Sequence, residues 1–205
     1  MSVKKWRQRL IRLAQRHPDW VLGFEDEVWF SRLAQPHLHA WTGSGTGDKP
    51  LRLEAKAVEK GDPDPKALAC YGLLRGDTGE MMLRFVQGRP VSKVTIGFLS
   101  WVTQRLAQQG KRVLMMVWDN ARWHTSREVR QWVKAHNRRV KTTRKGCRLL
   151  VCPLPSKSPW LNNIEPKWVH GKKNTLEKQR TLSAHETKQR LCKYYKCKLL
   201  KPLPQ

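Results

Sequence analysis

The chain has 205 residues, enough for one domain with a core of its own. Of these, 39% are hydrophobic, 41 are Lys or Arg and only 16 are Asp or Glu, giving a formal net charge of +25. That composition excludes a disordered basic tail, no apolar run approaches the roughly 18–20 residues of a membrane span, and the charge calls for a polyanionic partner.

Residues 3–17 are predicted to form a short basic helix with Trp6, Leu10 and Leu13, or Ile11 and Ala14, on one side, ended by His17-Pro18. Residues 20–33 follow as a strand. The stretch Thr42-Gly-Ser-Gly-Thr-Gly-Asp48 is loop, and it lacks the Gly-Lys-Ser/Thr ending of an ATPase phosphate cradle. Residues 66–75 and 81–87 flank Gly76-Asp-Thr-Gly79, a hairpin turn. Ser92 is expected to cap a helix carrying Val94, Phe98, Trp101 or Val102, and Leu106, stopped at Gly110.

The near-continuous apolar run 112–119 is expected as a central strand covered on both faces. Ser126 should cap the next helix, which buries Val129, Trp132 and Val133. Residues 148–154 form a last strand, ended by Pro153 and Pro155 ahead of a helix carrying Glu165. Three strands followed by helix, strand, helix, strand, helix imply a mixed sheet with helices on its faces. Residues 1–19 are read as a basic N-terminal helix, 20–185 as the main domain and 186–205 as a basic tail.

The charge is uneven, with 19 Lys+Arg against Glu165, Glu177 and Glu186 in residues 134–205. Such a surplus fits a phosphate-tracking surface better than plain solubility. Five cysteines without a secretion signal argue against a disulfide framework. The spacings Cys147-x4-Cys152 and Cys192-x4-Cys197 raise zinc. Cys152, however, falls in a predicted strand, where a buried small hydrophobe is its ordinary role.

In so basic a chain, acids inside apolar runs need a reason. Strand alternation puts Leu22, Phe24, Asp26, Val28 and Phe30 on one face and Glu25, Glu27 and Trp29 on the other. Asp26 thus projects from an apolar face, where a bare carboxylate is costly and a bound cation removes the cost. Asp119 ends the run Val113-Leu-Met-Met-Val-Trp118, and Glu165 opens a helix beside Pro166. Taken singly, Asp119 reads as a strand-ending turn and Glu165 as a helix-start charge. Taken together, three oxygen donors from separate segments suit Mg²⁺, bound by a few carboxylates and substrate phosphates.

The blocks Phe24-Glu-Asp-Glu-Val-Trp-Phe30, Val117-Trp-Asp-Asn-Ala-Arg-Trp-His124 and Pro155-Ser-Lys-Ser-Pro-Trp-Leu-Asn-Asn-Ile-Glu-Pro-Lys-Trp168 resemble the three catalytic blocks of DDE transposases. The match is to the mariner superfamily and its bacterial insertion-sequence relatives, over roughly residues 20–180. The resemblance implies a ribonuclease-H-like α/β fold, a five-stranded mixed sheet with helices on both faces. It implies that Asp26, Asp119 and Glu165 bind two Mg²⁺ ions, with Mn²⁺ as a substitute. Such an enzyme hydrolyses phosphodiesters at transposon ends, then uses the freed 3′-hydroxyl to attack target DNA. Asn163 and Pro166 depart from the family's usual Asn-Pro-Ile-Glu wording.

Lys157, Lys167, Lys172 and Lys173 flank the third acid and are expected to contact phosphates. Ser158, Trp160 and Asn162 are read as shaping the loop, and His124 as a polar residue ahead of the helix start at Thr125-Ser126. Trp123 and Trp160 are candidates for stacking on an unpaired base or for packing. Only 25 residues precede Asp26, too few for a compact DNA-reading domain, so the chain reads as the second frame of a split element with an upstream helix-turn-helix polypeptide as partner, as a truncated remnant, or as a fragment, with a homodimer expected on DNA. A cytoplasmic, nucleoid-associated location follows. The rival expectation is a truncated, non-catalytic basic DNA-binding remnant.

Overall fold

Long apolar runs in the middle of the chain make the sheet, and amphipathic basic segments cover it. A computed structural model describes residues 3–35, 55–155 and 158–205. The glycine-rich loop at 42–48, Lys157 and the side chain of Trp6 lie outside the described residues. The elements are α1 (Val3–Arg16), β1 (Trp20–Ser31), β2 (Ala67–Arg75), β3 (Met81–Phe85), α2 (Ser92–Gln108), β4 (Val113–Trp118), α3 (Arg127–Thr143), β5 (Arg148–Pro153), α4 (Glu165–Thr175) and α5 (Ala184–Tyr194). A 3₁₀ turn, Pro159–Leu161, leads into α4.

The strands form one sheet in the order β3-β2-β1-β4-β5. β1 pairs antiparallel with β2 and β2 with β3, the latter across the Gly76–Gly79 turn, whereas β1–β4 and β4–β5 are parallel, with α3 between β4 and β5. All six residues of β4 are buried, as expected of a strand covered on both faces. Alternation divides the core in two. Leu22, Phe24, Val28, Phe30, Met115 and Val117 pack with Ile164, Trp168, Leu191 and Tyr195 of the α4–α5 layer. Val21, Tyr71, Leu73, Leu114, Met116 and Trp118 pack with Phe98, Leu99, Val102, Leu106 and Val129 of the α2–α3 layer.

Ser126 caps α3 as expected, its side chain accepting from the Val129 N–H. Ser92 does not cap α2: it is already helical, Val91 holds the cap position, and no side-chain bond closes that end. The apolar face still sets the helix, because Val94, Phe98, Val102 and Leu106 recur at helical spacing and are buried. Residues 186–205, expected as a basic tail, instead carry most of α5. Ser183 and Glu186 form a capping box there, and Leu191 and Cys192 are buried, so the basic residues occupy only the outer face. Beyond it, Leu203 bridges Val86 and extends the β3 edge of the sheet.

Candidate active site

Asp26 lies near the middle of β1, directly opposite Gly72 of β2. Its face is the one that packs on α4, and the Trp168 indole N–H donates to Asp26 Oδ2 at 3.0 Å. Gly72 makes that bond possible: a Cβ there would stand 2.5 Å from Trp168 Cζ2. Glu165 is the first residue of α4, with Pro166 beside it at the helix start, where a missing N–H costs nothing. Burial first, and then the charge of Glu165, push the Asp26 carboxyl up to about 7.

The loop before α4 is tied to β1. Asn162, buried, donates through Nδ2 to the Glu25 backbone carbonyl at 2.9 Å, and the Glu165 N–H donates to the Asn162 carbonyl at 3.1 Å. Asn162 therefore seats Glu165 against the strand that carries Asp26, a shaping role as expected. Trp160 in the same loop is 71% exposed.

Asp119 follows the last residue of β4. The parallel ladder ends at Phe24–Val117, and Asp119 lies just beyond it, two residues on from Val117 as Asp26 is from Phe24. Its Oδ1 accepts from the Ala121 N–H and from His124 Nδ1, both at 2.8 Å. The His124 bond, more than any other influence, holds the Asp119 carboxyl below its ordinary value. Asn120 then anchors the turn through Nδ2 to the Leu154 carbonyl at 2.9 Å.

The opposite face of β1 holds what the sequence did not disclose. His124, expected as a polar residue ahead of a helix, is buried against Glu25 and Glu27. Burial alone would lower its pKa, but Glu25, Asp119 and Glu27 raise it to about 11. Glu25 is raised by burial and by Glu27. Trp123 is a packing residue whose Nε1–H donates to Glu27 Oε1 at 2.7 Å. Alternation places both glutamates on this face, but only the fold brings His124 to them, 97 residues away from Glu27 in sequence. Among the described residues, Glu25, Glu27 and His124 are the group whose ligand atoms all lie within 4.8 Å; Asp26, Asp119 and Glu165 stand less tightly together. The cysteines make no four-sulfur site. Cys147 packs on the α2–α3 side of the sheet, whereas Cys152, Cys192 and Cys197 pack on the α4–α5 side.

A mixed 3-2-1-4-5 sheet flanked by helices, with acids on neighbouring parallel strands and a third on a covering helix, is a ribonuclease-H-like arrangement. The chain belongs to the DDE superfamily of endonucleases, whose family model matches residues 24–188. Among solved structures it is similar to the Mos1 transposase paired-end complex with left transposon end, at TM-score 0.63 and 17% identity over 96% of this chain and 54% of that one. It is also similar to the Mos1 mariner paired-end complex with Mn, at TM-score 0.61 and 17% identity over 96% and 54%. Against the Mos1 catalytic domain with Raltegravir and Mg the TM-score is 0.54 and the identity 16%, over 95% and 81%. The likeness is one of fold, and the chain spans about half the length of the longer Mos1 chains. No curated protein matches it in sequence.

Proposed function

We propose that this chain is the catalytic domain of a transposase, hydrolysing DNA phosphodiesters at transposon ends and then using the new 3′-hydroxyl to attack a target phosphodiester, whose own 3′-oxygen leaves as the strands join. In this reading Asp26, Asp119 and Glu165 hold the divalent metal. One observation supports it: in a DDE endonuclease, Asp26 lies on β1, Asp119 just past the end of the adjacent parallel strand β4, and Glu165 close enough to raise the Asp26 carboxyl. The donor set fits Mg²⁺ or Mn²⁺, hard cations served by carboxylate oxygens. Two such ions, when bound, activate the attacking oxygen and stabilise the leaving one.

The chain's own residues prepare that site. Trp168 orients Asp26 through its N–H, His124 and the Ala121 N–H orient Asp119, and Asn162 seats the turn that begins α4. Lys167, Lys172 and Lys173 lie exposed on α4 beside Glu165, suited to phosphate contacts that position a strand without reading its sequence. A helix-turn-helix polypeptide would supply end recognition, and a homodimer would bring two ends together.

The test is nicking of supercoiled plasmid by the purified chain with Mg²⁺ or Mn²⁺. We expect metal-dependent nicking, abolished by EDTA and reduced at least ~100-fold in Asp119→Asn, the scale of losing one charge-stabilising group. Equal activity in both proteins, or none in either, would instead favour a non-catalytic DNA-binding remnant.

A further inference from the structure

Behind the three acids, on the far face of β1, lies a buried group that the proposed chemistry does not use. His124 is 1% exposed, and its ring stacks on Trp118 with centroids 4.5 Å apart and planes 7° from parallel, which fixes the ring plane. Its Nδ1 lies 2.8 Å from Asp119 Oδ1, and its Nε2 lies 2.9 Å from Glu27 Oε1 and 3.4 Å from Glu25 Oε2. Both ring nitrogens are thus engaged by carboxylate oxygens, one on each side of the ring. Glu27 is in turn held by the Trp123 indole N–H. Among the described residues, Glu25 Oε1 and Oε2 are buried without a hydrogen-bond partner, and their charge or dipole stands directly behind the ring.

Asp119 needs such a support. It comes after the last ladder residue of β4, and its side chain is 51% exposed, so neither strand pairing nor packing sets its rotamer. Among the described residues, the Ala121 N–H and His124 Nδ1 both bond Oδ1.

We propose that His124 is a positioning residue, holding the Asp119 carboxylate in its metal-binding orientation through an Asp119–His124–Glu27 hydrogen-bond chain. This rests on the metal site proposed above and deepens it. Outer-shell partners of this kind set the orientation of a ligand and tune its affinity. The same three side chains, Glu25, Glu27 and His124, are close enough together to hold an ion themselves. With Nδ1 against Asp119 and Nε2 against Glu27, however, neither ring nitrogen is left uncommitted for a metal.

Mn²⁺ binding to the purified chain, followed by electron paramagnetic resonance, separates these possibilities without relying on catalysis. His124→Leu fills the volume against Trp118 but donates nothing, whereas His124→Asn keeps an N–H near the Nδ1 position. We expect Mn²⁺ affinity to fall ~10-fold or more in His124→Leu, in the range for lost outer-shell partners, and to recover largely in His124→Asn. Glu27→Gln, which loses the charged anchor but keeps the shape, should also bind more weakly. It carries the test if His124→Leu does not fold, as judged by thermal unfolding. Wild-type affinity in the folded Leu and Gln variants would overturn the positioning role alone. A Mn²⁺ equivalent lost on Glu25→Gln would overturn it by placing the ion on the other face. No Mn²⁺ binding by the wild type would overturn the metal-site reading and this inference together.

Discussion

Asp26 is affordable where it stands because of a residue with no side chain. Gly72 opposes it across the β1–β2 ladder and leaves room for the Trp168 ring, whose N–H then reaches the carboxylate. Gly72→Ala should displace that ring and cost about 1–3 kcal/mol, as overpacking of a filled core does. Urea unfolding checks this, and a variant as stable as the wild type would mean that Trp168 moves freely. Asp26 itself was legible in the sequence, since two-residue alternation separates it from Glu25 and Glu27. Gly72 and Trp168 were not, because the Asp26–Trp168 bond spans 142 positions and no local pattern encodes it.

At the scale of elements, apolar periodicity was the reliable signal, and polar cues were less so. The apolar face of α2 is buried, although Ser92 forms no side-chain cap. The fifth helix was hidden because charge dominates its sequence, while Leu191 and Cys192 are what dock it. Its first turn should make the fold acid-sensitive. Arg180, and then the Ser183 N–H, pull the Glu186 carboxyl down to about 2 from an ordinary 4.5. A depressed folded-state pKa contributes stability above the unfolded value that is lost as pH falls through the folded one. Glu186→Gln should therefore lower Tm relative to the wild type above pH ~5, with the gap closing toward pH ~2. A gap constant from pH 2 to 6 would show that this carboxylate adds nothing as a charge.

For the whole molecule, the proposal sets a large positive surplus around a small group of acids. Composition alone made the polyanionic partner legible, because charge needs no fold to be counted. The acids' arrangement needed the sheet order, which sets β4 beside β1 and so brings Asp119, just past the end of β4, to the strand next to Asp26 although 93 positions separate them. If about six lysines and arginines neutralise phosphates, DNA affinity should fall ~10³-fold between 50 and 200 mM salt, with little sequence preference. Fluorescence anisotropy with two unrelated duplexes measures this. A flat salt dependence would argue against a phosphate-tracking surface.

The most direct test of the central claim is an anomalous difference map from crystals of the chain soaked in Mn²⁺. The account expects density at the carboxylates of Asp26, Asp119 and Glu165, lost in Asp119→Asn. Density only at Glu25, Glu27 and His124, or no density at any acid, would contradict it.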